Sequence, residues 1–265
     1  MEPIPIFAHN PGPFTGEGNW TFLLKGRVPT LIDAGTGEAR HLDAVVGALD
    51  GTPLAQVLVT HAHGDHASGA MALHERFPGV RFRKMPWPER DTKWPVDWDP
   101  IVDGELIEAG DSLLRSVHTP GHAPDHLCFW DDSRRWLYCG DLAQSGTTIW
   151  IPHELRGDLA DYLASLDRAI GLQPLRMLPS HGPFIDEPEV ALRRYIEHRL
   201  ARERQIVEAM QNGAVTVDEI TARIYRGLSE KLLPMAKQGV QSHLAKLRRE
   251  GRARLDGEAW HIMSA

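Results

Sequence analysis

Residues 60–69, THAHGDHASG, crowd His61, His63, Asp65 and His66 into six positions among small residues. A buried core histidine needs only one or two hydrogen-bond partners, so packing could account for any one of these side chains but not for all four. Imidazole and carboxylate together are donors that zinc, manganese and iron accept. No cysteine joins them, which argues against a closed structural zinc site and for one that keeps positions open.

The flanking pattern says how a fold would carry such a loop. Residues 56–60 (QVLVT) predict a buried strand leading straight into His61, and residues 67–77 (ASGAMALHERF) predict a helix beyond it. Upstream, 20–24 (WTFLL) and 28–33 (VPTLID) predict strands around a Lys25-Gly26 turn, followed by a glycine turn into an amphipathic helix. The Pro/Gly-rich beginning predicts no element. Residues 85–103, with four prolines and three tryptophans, predict a packed surface loop. SLLRSVHT, HLCFW and RWLYCG then read as a strand meander, residues 158–170 as a helix, and LRML as a short strand. Strand-rich stretches interleaved with helices predict a layered α/β core.

The texture changes near Pro188. A long helical stripe ends at Asn212-Gly213, and VDEITARIY and AKQGVQSHLAKLRREG give two further helices. RARLDGEAWHIM reads as a hairpin turning at Asp256-Gly257. This order predicts a winged helix, dividing the chain into a catalytic domain at 1–187 and a linker helix plus winged helix at 188–265. Lys237, Lys246, Arg248 and Arg249 on or near its third helix admit nucleic-acid binding. A module that packs beside the cleft or mediates homodimerisation is the alternative.

His122 in TPGHAPDH, Asp141 in YCGDLA and His181 in PSHGP each follow a predicted strand, where open α/β sheets gather functional groups. With the opening cluster they make five imidazoles and two carboxylates, enough for two cations, a bridging carboxylate and water. Two divalent ions about 3.5–4 Å apart make a hydroxide nucleophile of bridging water near neutral pH and polarise the scissile oxygen, so hydrolysis is the expected reaction. Asp125 and His126 are placed to orient a ligand, and Ser145, Thr147 and Thr148 to offer hydroxyls to a substrate oxyanion. His153 reads as a loop histidine.

Bulk properties set limits. Net charge is −7, with 14 basic against 9 acidic residues from Arg193 onward and 15 against 27 before it. Such acidity gives no support to strong nonspecific nucleic-acid binding. Cys128 and Cys139 lie in apolar runs and read as buried thiols. The beginning shows no leader pattern and no apolar run spans a membrane, so a cytoplasmic location is expected.

HxHxDH followed by His122, Asp141 and His181 resembles the metallo-β-lactamase superfamily. The resemblance implies a four-layer αββα sandwich, with His61, His63 and His122 holding one metal, Asp65, His66 and His181 the other, and Asp141 bridging them. It makes Asp65 and Asp141 the catalytic carboxylates and two zinc ions the cofactor, with manganese or iron possible. Asp33 in LIDAGTG is similar to the family's supporting aspartate beneath the loop. The segments TPGHAPDHLCFW, GDLAQSGTTIW and PSHGPFIDEP, with the winged helix, resemble the β-lactamase-like protein 2 group, which implies cleavage of single-stranded RNA. The same site would serve an acyl hydrolase acting on a small ester or thioester: a thioesterase, lactonase, glyoxalase II-like enzyme or weak β-lactamase. The chain departs from the group at Trp20 and at Ser180, where glycine is usual.

Overall fold

The computed structural model describes residues 2–13 and 15–263. Two sheets lie face to face. The first holds β1 (Ile4–Phe7), β2 (Trp20–Leu24), β3 (Thr30–Ile32), β4 (Gln56–Leu58), β5 (Arg81–Lys84) and β6 (Trp98–Pro100) in chain order. Its first two pairings are antiparallel and the rest parallel. Parallel neighbours need crossovers, and here α1 (Ala39–Leu49), then α2 (Gly64–Ala67) with α3 (Ala70–Arg76), and last α4 (Pro88–Asp91) lie in them. The second sheet holds β7 (Leu106–Ala109), β8 (Ser112–His118), β9 (Leu127–Asp131), β10 (Trp136–Gly140) and β11 (Arg176–Pro179). Only β10 and β11 run parallel, joined through α5 (Leu159–Gly171).

The period-two alternation of the strands makes the layers. Phe22 and Leu24 of the first sheet meet Leu127, Phe129 and Tyr138 of the second in the central core. Leu23, Leu31 and Val57 point the other way onto Val45 and Leu49 of α1 and Leu73 of α3. Cys128, Trp130 and Leu137 turn outward onto Leu159, Tyr162 and Leu166 of α5. The result is the expected αββα sandwich. Each fully buried Leu or Phe contributes about 1.5–3 kcal/mol, and Phe129→Ala, at the centre, would cost about 3–5 kcal/mol.

α6 (Pro188–Gln211) belongs to two cores. Leu192 and Tyr195 pack on α5, whereas Ile206 and Met210 pack with α7 (Val217–Ile224) and α8 (Leu233–Arg249). The hairpin β12 (Ala253–Asp256) and β13 (Ala259–Ile262) completes the winged helix. α8 rests on the sandwich through Ser242 Oγ, which donates to Ile151 O at 2.9 Å, and through Arg249, paired with Asp161 at 2.9 Å.

Several local expectations are corrected. β1 occupies part of the beginning read as without structure, and β5 and β7 were not foreseen. The helix expected over 67–77 is broken at Ser68-Gly69, where Gly69 N donates to Gly35 O at 2.9 Å and a Cβ would lie 2.1 Å from Ala34 O. The 85–103 segment contains α4 and β6, with Trp87 buried against Ala62 and Ala123. The hairpin turns one residue later than expected, at Gly257-Glu258, with Gly257 at φ +60°. No helix among the described residues is long and apolar enough to cross a membrane.

Candidate metal centre

Loops leaving the strands bring all seven expected ligands together. His61 and His63 follow β4, Asp65 and His66 sit in α2, His122 follows β8, Asp141 leaves β10 directly, and His181 follows β11. His63 Nδ1 lies 3.0 Å from His61 Nε2 and 2.9 Å from His122 Nε2. Asp65 Oδ2 lies 3.3 Å from His66 Nε2 and 3.2 Å from His181 Nε2. Asp141 stands between the two triads, its Oδ2 3.4 Å from His122 and its Oδ1 3.4 Å from both His66 and His181.

These separations suit cations. Donors about 2.0–2.1 Å from a tetrahedral ion stand roughly 3.3 Å apart. Among the described residues the buried His66 Nε2 and Asp141 Oδ1 have no hydrogen-bond partner, a costly arrangement unless a cation sits between them. His61–His63–His122 and Asp65–His66–His181 are each compact enough to hold one ion.

The surroundings set the tautomers. Asp33, at φ +62°, accepts Thr60 N and Thr60 Oγ1 on Oδ1 at 2.8 and 2.9 Å. Its Oδ2 accepts His66 Nδ1 at 2.7 Å and Ser180 Oγ at 3.0 Å. With its proton directed to Asp33, the Thr60 hydroxyl can accept from His61 Nδ1, 3.1 Å away. His122 Nδ1 donates to Trp150 O at 2.7 Å. With Nδ1 engaged, each of the three imidazoles can offer a bare Nε2 to a cation at the centre. Asp33 occupies the supporting place expected of it, and Ser180 supplies it a hydroxyl that glycine would lack.

His126 and Asp125 work from behind. His126 Nε2 accepts Asp141 N at 3.0 Å, and Gly140 permits the approach: a Cβ there would lie 2.7 Å from that nitrogen. Asp125 Oδ2 accepts Ala62 N at 2.9 Å and pairs with the buried Lys84 at 3.1 Å. Burial raises the Asp125 carboxyl to about 6 against the pull of Lys84. Sequence reasoning missed Thr60, Lys84, the Trp150 carbonyl, and Asn19, whose Nδ2 donates to Asp65 O at 3.0 Å.

Electrostatics divide the two triads. Burial and mutual repulsion hold His61 and His63 well below the usual imidazole range; burial also lowers His122. These three are neutral donors at physiological pH. Burial opposes charge at Asp65 and Asp141 too, but the facing His66 and His181 outweigh it and keep both carboxyls low. The acids in turn raise His66 and His181, and a divalent cation among the same atoms would displace those protons.

A cleft of about 970 Å³ opens beside His63, Asp65, His122, Asp141 and His181. Ser145, Thr147 and Thr148 line it, as do Phe7, Trp20, Ile149, Trp150, Leu155 and Met235. Met235 comes from α8, so the winged helix contributes to the wall. α6 fixes the 144–149 segment: Tyr195 OH lies 3.0 Å from Gln144 N and 2.8 Å from Thr147 O, and Arg199 bonds Thr148 and the Ile149 carbonyl. His153 lines a groove beside the winged helix and not the cleft. Three cations of the expected basic face are paired: Lys237 with Asp218, Lys246 with Glu203 and Glu250, and Arg249 with Asp158 and Asp161.

The chain belongs to the metallo-β-lactamase superfamily, whose family model matches residues 14–181; a β-lactamase-associated winged-helix model matches 216–260. A Caenorhabditis elegans β-lactamase-like protein 2 homolog is 31% identical, covering 93% of this chain and 84% of its own. An atrochrysone carboxyl ACP thioesterase from Aspergillus chevalieri is 30% identical, covering 92% and 80%. A Thermus thermophilus metallo-β-lactamase family protein superposes with a TM-score of 0.80 over 99% of this chain and 98% of its own, at 20% identity. Another solved structure, in a di-iron-bound form, gives a TM-score of 0.56 over 72% of this chain and 97% of its own, at 24% identity.

Proposed function

We propose that the chain is a dinuclear metallohydrolase that cleaves an acyl bond, a thioester or ester, in a substrate with an apolar body. The carrying observation is the cleft wall: among the described residues six of its side chains are aromatic or large and aliphatic, and Arg90 is the one lysine or arginine lining it. Two divalent ions held by the seven ligands, zinc by preference with manganese or iron acceptable to the same donors, would activate water and polarise the carbonyl. Asp141 sets the spacing of the two triads. Asp65 lines the cleft as an ionised carboxylate able to accept a hydrogen bond from entering water. Ser145 and Thr147 supply hydroxyl donors for negative charge developing on the carbonyl oxygen.

Cleavage of single-stranded RNA is the second reading. Phe7, Trp20 and Trp150 offer rings on which bases can stack. A phosphodiester chain also needs a basic track, and among the described residues the cleft has one arginine while the third helix of the winged helix has paired most of its cations. The name of the Aspergillus thioesterase adds support to the acyl reading. Buried thiols at Cys128 and Cys139 accord with a cytoplasmic setting. Metal-loaded protein and an Asp65→Ala control should be assayed on thioesters of increasing acyl length, lactones, β-lactams and labelled single-stranded RNA. Thioester turnover that rises with chain length and fails in the control supports the proposal; RNA cleavage without acyl turnover overturns it.

A further inference from the structure

Among the described residues Arg90 is the one lysine or arginine on the wall of the cleft. It lies in α4, half-buried, with its guanidinium carbon 5.3 Å from the Trp87 ring centroid. Trp87 is itself buried, and its ring lies 6.4 Å from that of the proposed ligand His63. The same indole thus neighbours both the guanidinium and a proposed ligand, and Arg90 and His63 both line the cleft. The acids on either side of Arg90 are already engaged: Glu89 pairs with Arg156 at 3.0 Å and Asp91 with the buried Lys84 at 2.6 Å. Among the described residues Arg90 forms no ion pair, although the chain carries a net charge of −7.

The carriage of Arg90 is firm. Asp91 Oδ2 accepts Trp87 N at 2.8 Å and closes the helical turn, while Oδ1 holds Lys84. Lys84 also reaches Asp125, whose carboxylate holds the backbone of Ala62 between two of the proposed ligands. The same buried ion cluster therefore positions both the metal loop and the arginine. A planar guanidinium backed by an indole keeps its charge and presents a fork that fits a carboxylate or phosphate in two parallel hydrogen bonds.

We infer that Arg90 determines specificity by binding an anionic group, carboxylate or phosphate, on the substrate at a distance from the scissile bond. This rests on the acyl-hydrolase reading and adds a class to it: an apolar acyl compound bearing a remote oxyanion. A charge-assisted hydrogen bond in a partly desolvated cleft gives a preference of roughly tenfold or more over the uncharged analogue.

The test is titration calorimetry on metal-loaded protein with three probes that are not thioesters: octanamide, suberic acid monoamide, and the phosphonate counterpart of the latter. The wild type should bind at least one anionic amide about tenfold tighter than octanamide, and the stronger of the two identifies the oxyanion. Arg90→Ala should abolish the preference, Arg90→Lys should keep part of it, and Arg90→Glu should reverse it. An anion preference that survives Arg90→Ala, as it would if the metals held the anion, overturns the inference, as does a wild type that shows no preference or binds no probe. Thioester turnover on the same preparations separates the two ideas: intact anion preference without turnover sinks the acyl reading alone.

Discussion

Asp33→Asn should damage one half of the metal centre and leave the other nearly intact. Asparagine tolerates a left-handed backbone, so the φ of +62° is no obstacle. The amide cannot satisfy the four hydrogen bonds that the carboxylate accepts. If its NH2 takes the place of Oδ1, it meets the Thr60 backbone N–H, and two donors face each other. If it replaces Oδ2, it meets His66 Nδ1 and forces the proton onto Nε2, the atom aimed at the centre. The first arrangement leaves a buried donor unsatisfied, at about 1–3 kcal/mol. The second removes a ligand from the Asp65–His66–His181 triad, and changes of this kind cost 10–100-fold in metal affinity. The assay is metal content by mass spectrometry during stepwise competition with a chelator. One ion should leave 10–100-fold more easily than in the wild type while the other holds. Two ions with unchanged affinity would refute the tautomer argument.

Tyr195→Phe removes the hydroxyl that ties α6 to the cleft segment, at about 1–3 kcal/mol. Amide exchange across 144–149 should quicken and KM should rise more than kcat falls; unchanged exchange contradicts the role given to α6. Glu203→Gln leaves Lys246 and Arg252 with only Glu250, so the winged helix should lose about 1–3 kcal/mol, less than for an isolated buried pair because Arg252 is half-exposed. A melting temperature equal to the wild type's would show that this network is not stabilising. His243 is buried on α8 with both ring nitrogens unpartnered among the described residues, and burial, reinforced by Arg199 and Lys246, lowers it from 6.5 to about 3. The unfolded chain takes up a proton below 6.5 that the folded one refuses, so this residue costs up to about 1.4 kcal/mol of stability per pH unit as pH falls through that window. His243→Leu should therefore stabilise, by a margin that widens toward acid; a constant margin counts against the assignment.

The proposed ligands were legible because their chemistry is local. Each imidazole or carboxylate sits in a turn or a four-residue helix soon after an apolar run, and a metal centre accounts for seven such residues together. The supporting atoms left no comparable mark. Thr60 is one more β-branched residue at the end of QVLVT, and its two bonds to Asp33 exist only because β3 and β4 run parallel and in register. Trp150 contributes a backbone carbonyl, to which any residue type could give rise. Lys84 closes an alternating strand, RFRK, and sequence alone gives no sign that it is buried between Asp91 and Asp125. The winged helix illustrates the same limit: periodicity placed Lys246 and Arg249 on the third helix, but the acids that neutralise them arrive from α6 and α5. Of the elements missed, β1, β6 and β7 are edge strands of three or four residues, and β5 and α4 have four residues each, all too short for periodicity to register.

Anomalous diffraction from crystals of the purified, metal-loaded protein gives the most direct answer. Two peaks should appear, one enclosed by His61, His63 and His122 and one by Asp65, His66 and His181, with an Asp141 oxygen directed at each. A single peak, or peaks remote from these side chains, would contradict the dinuclear centre.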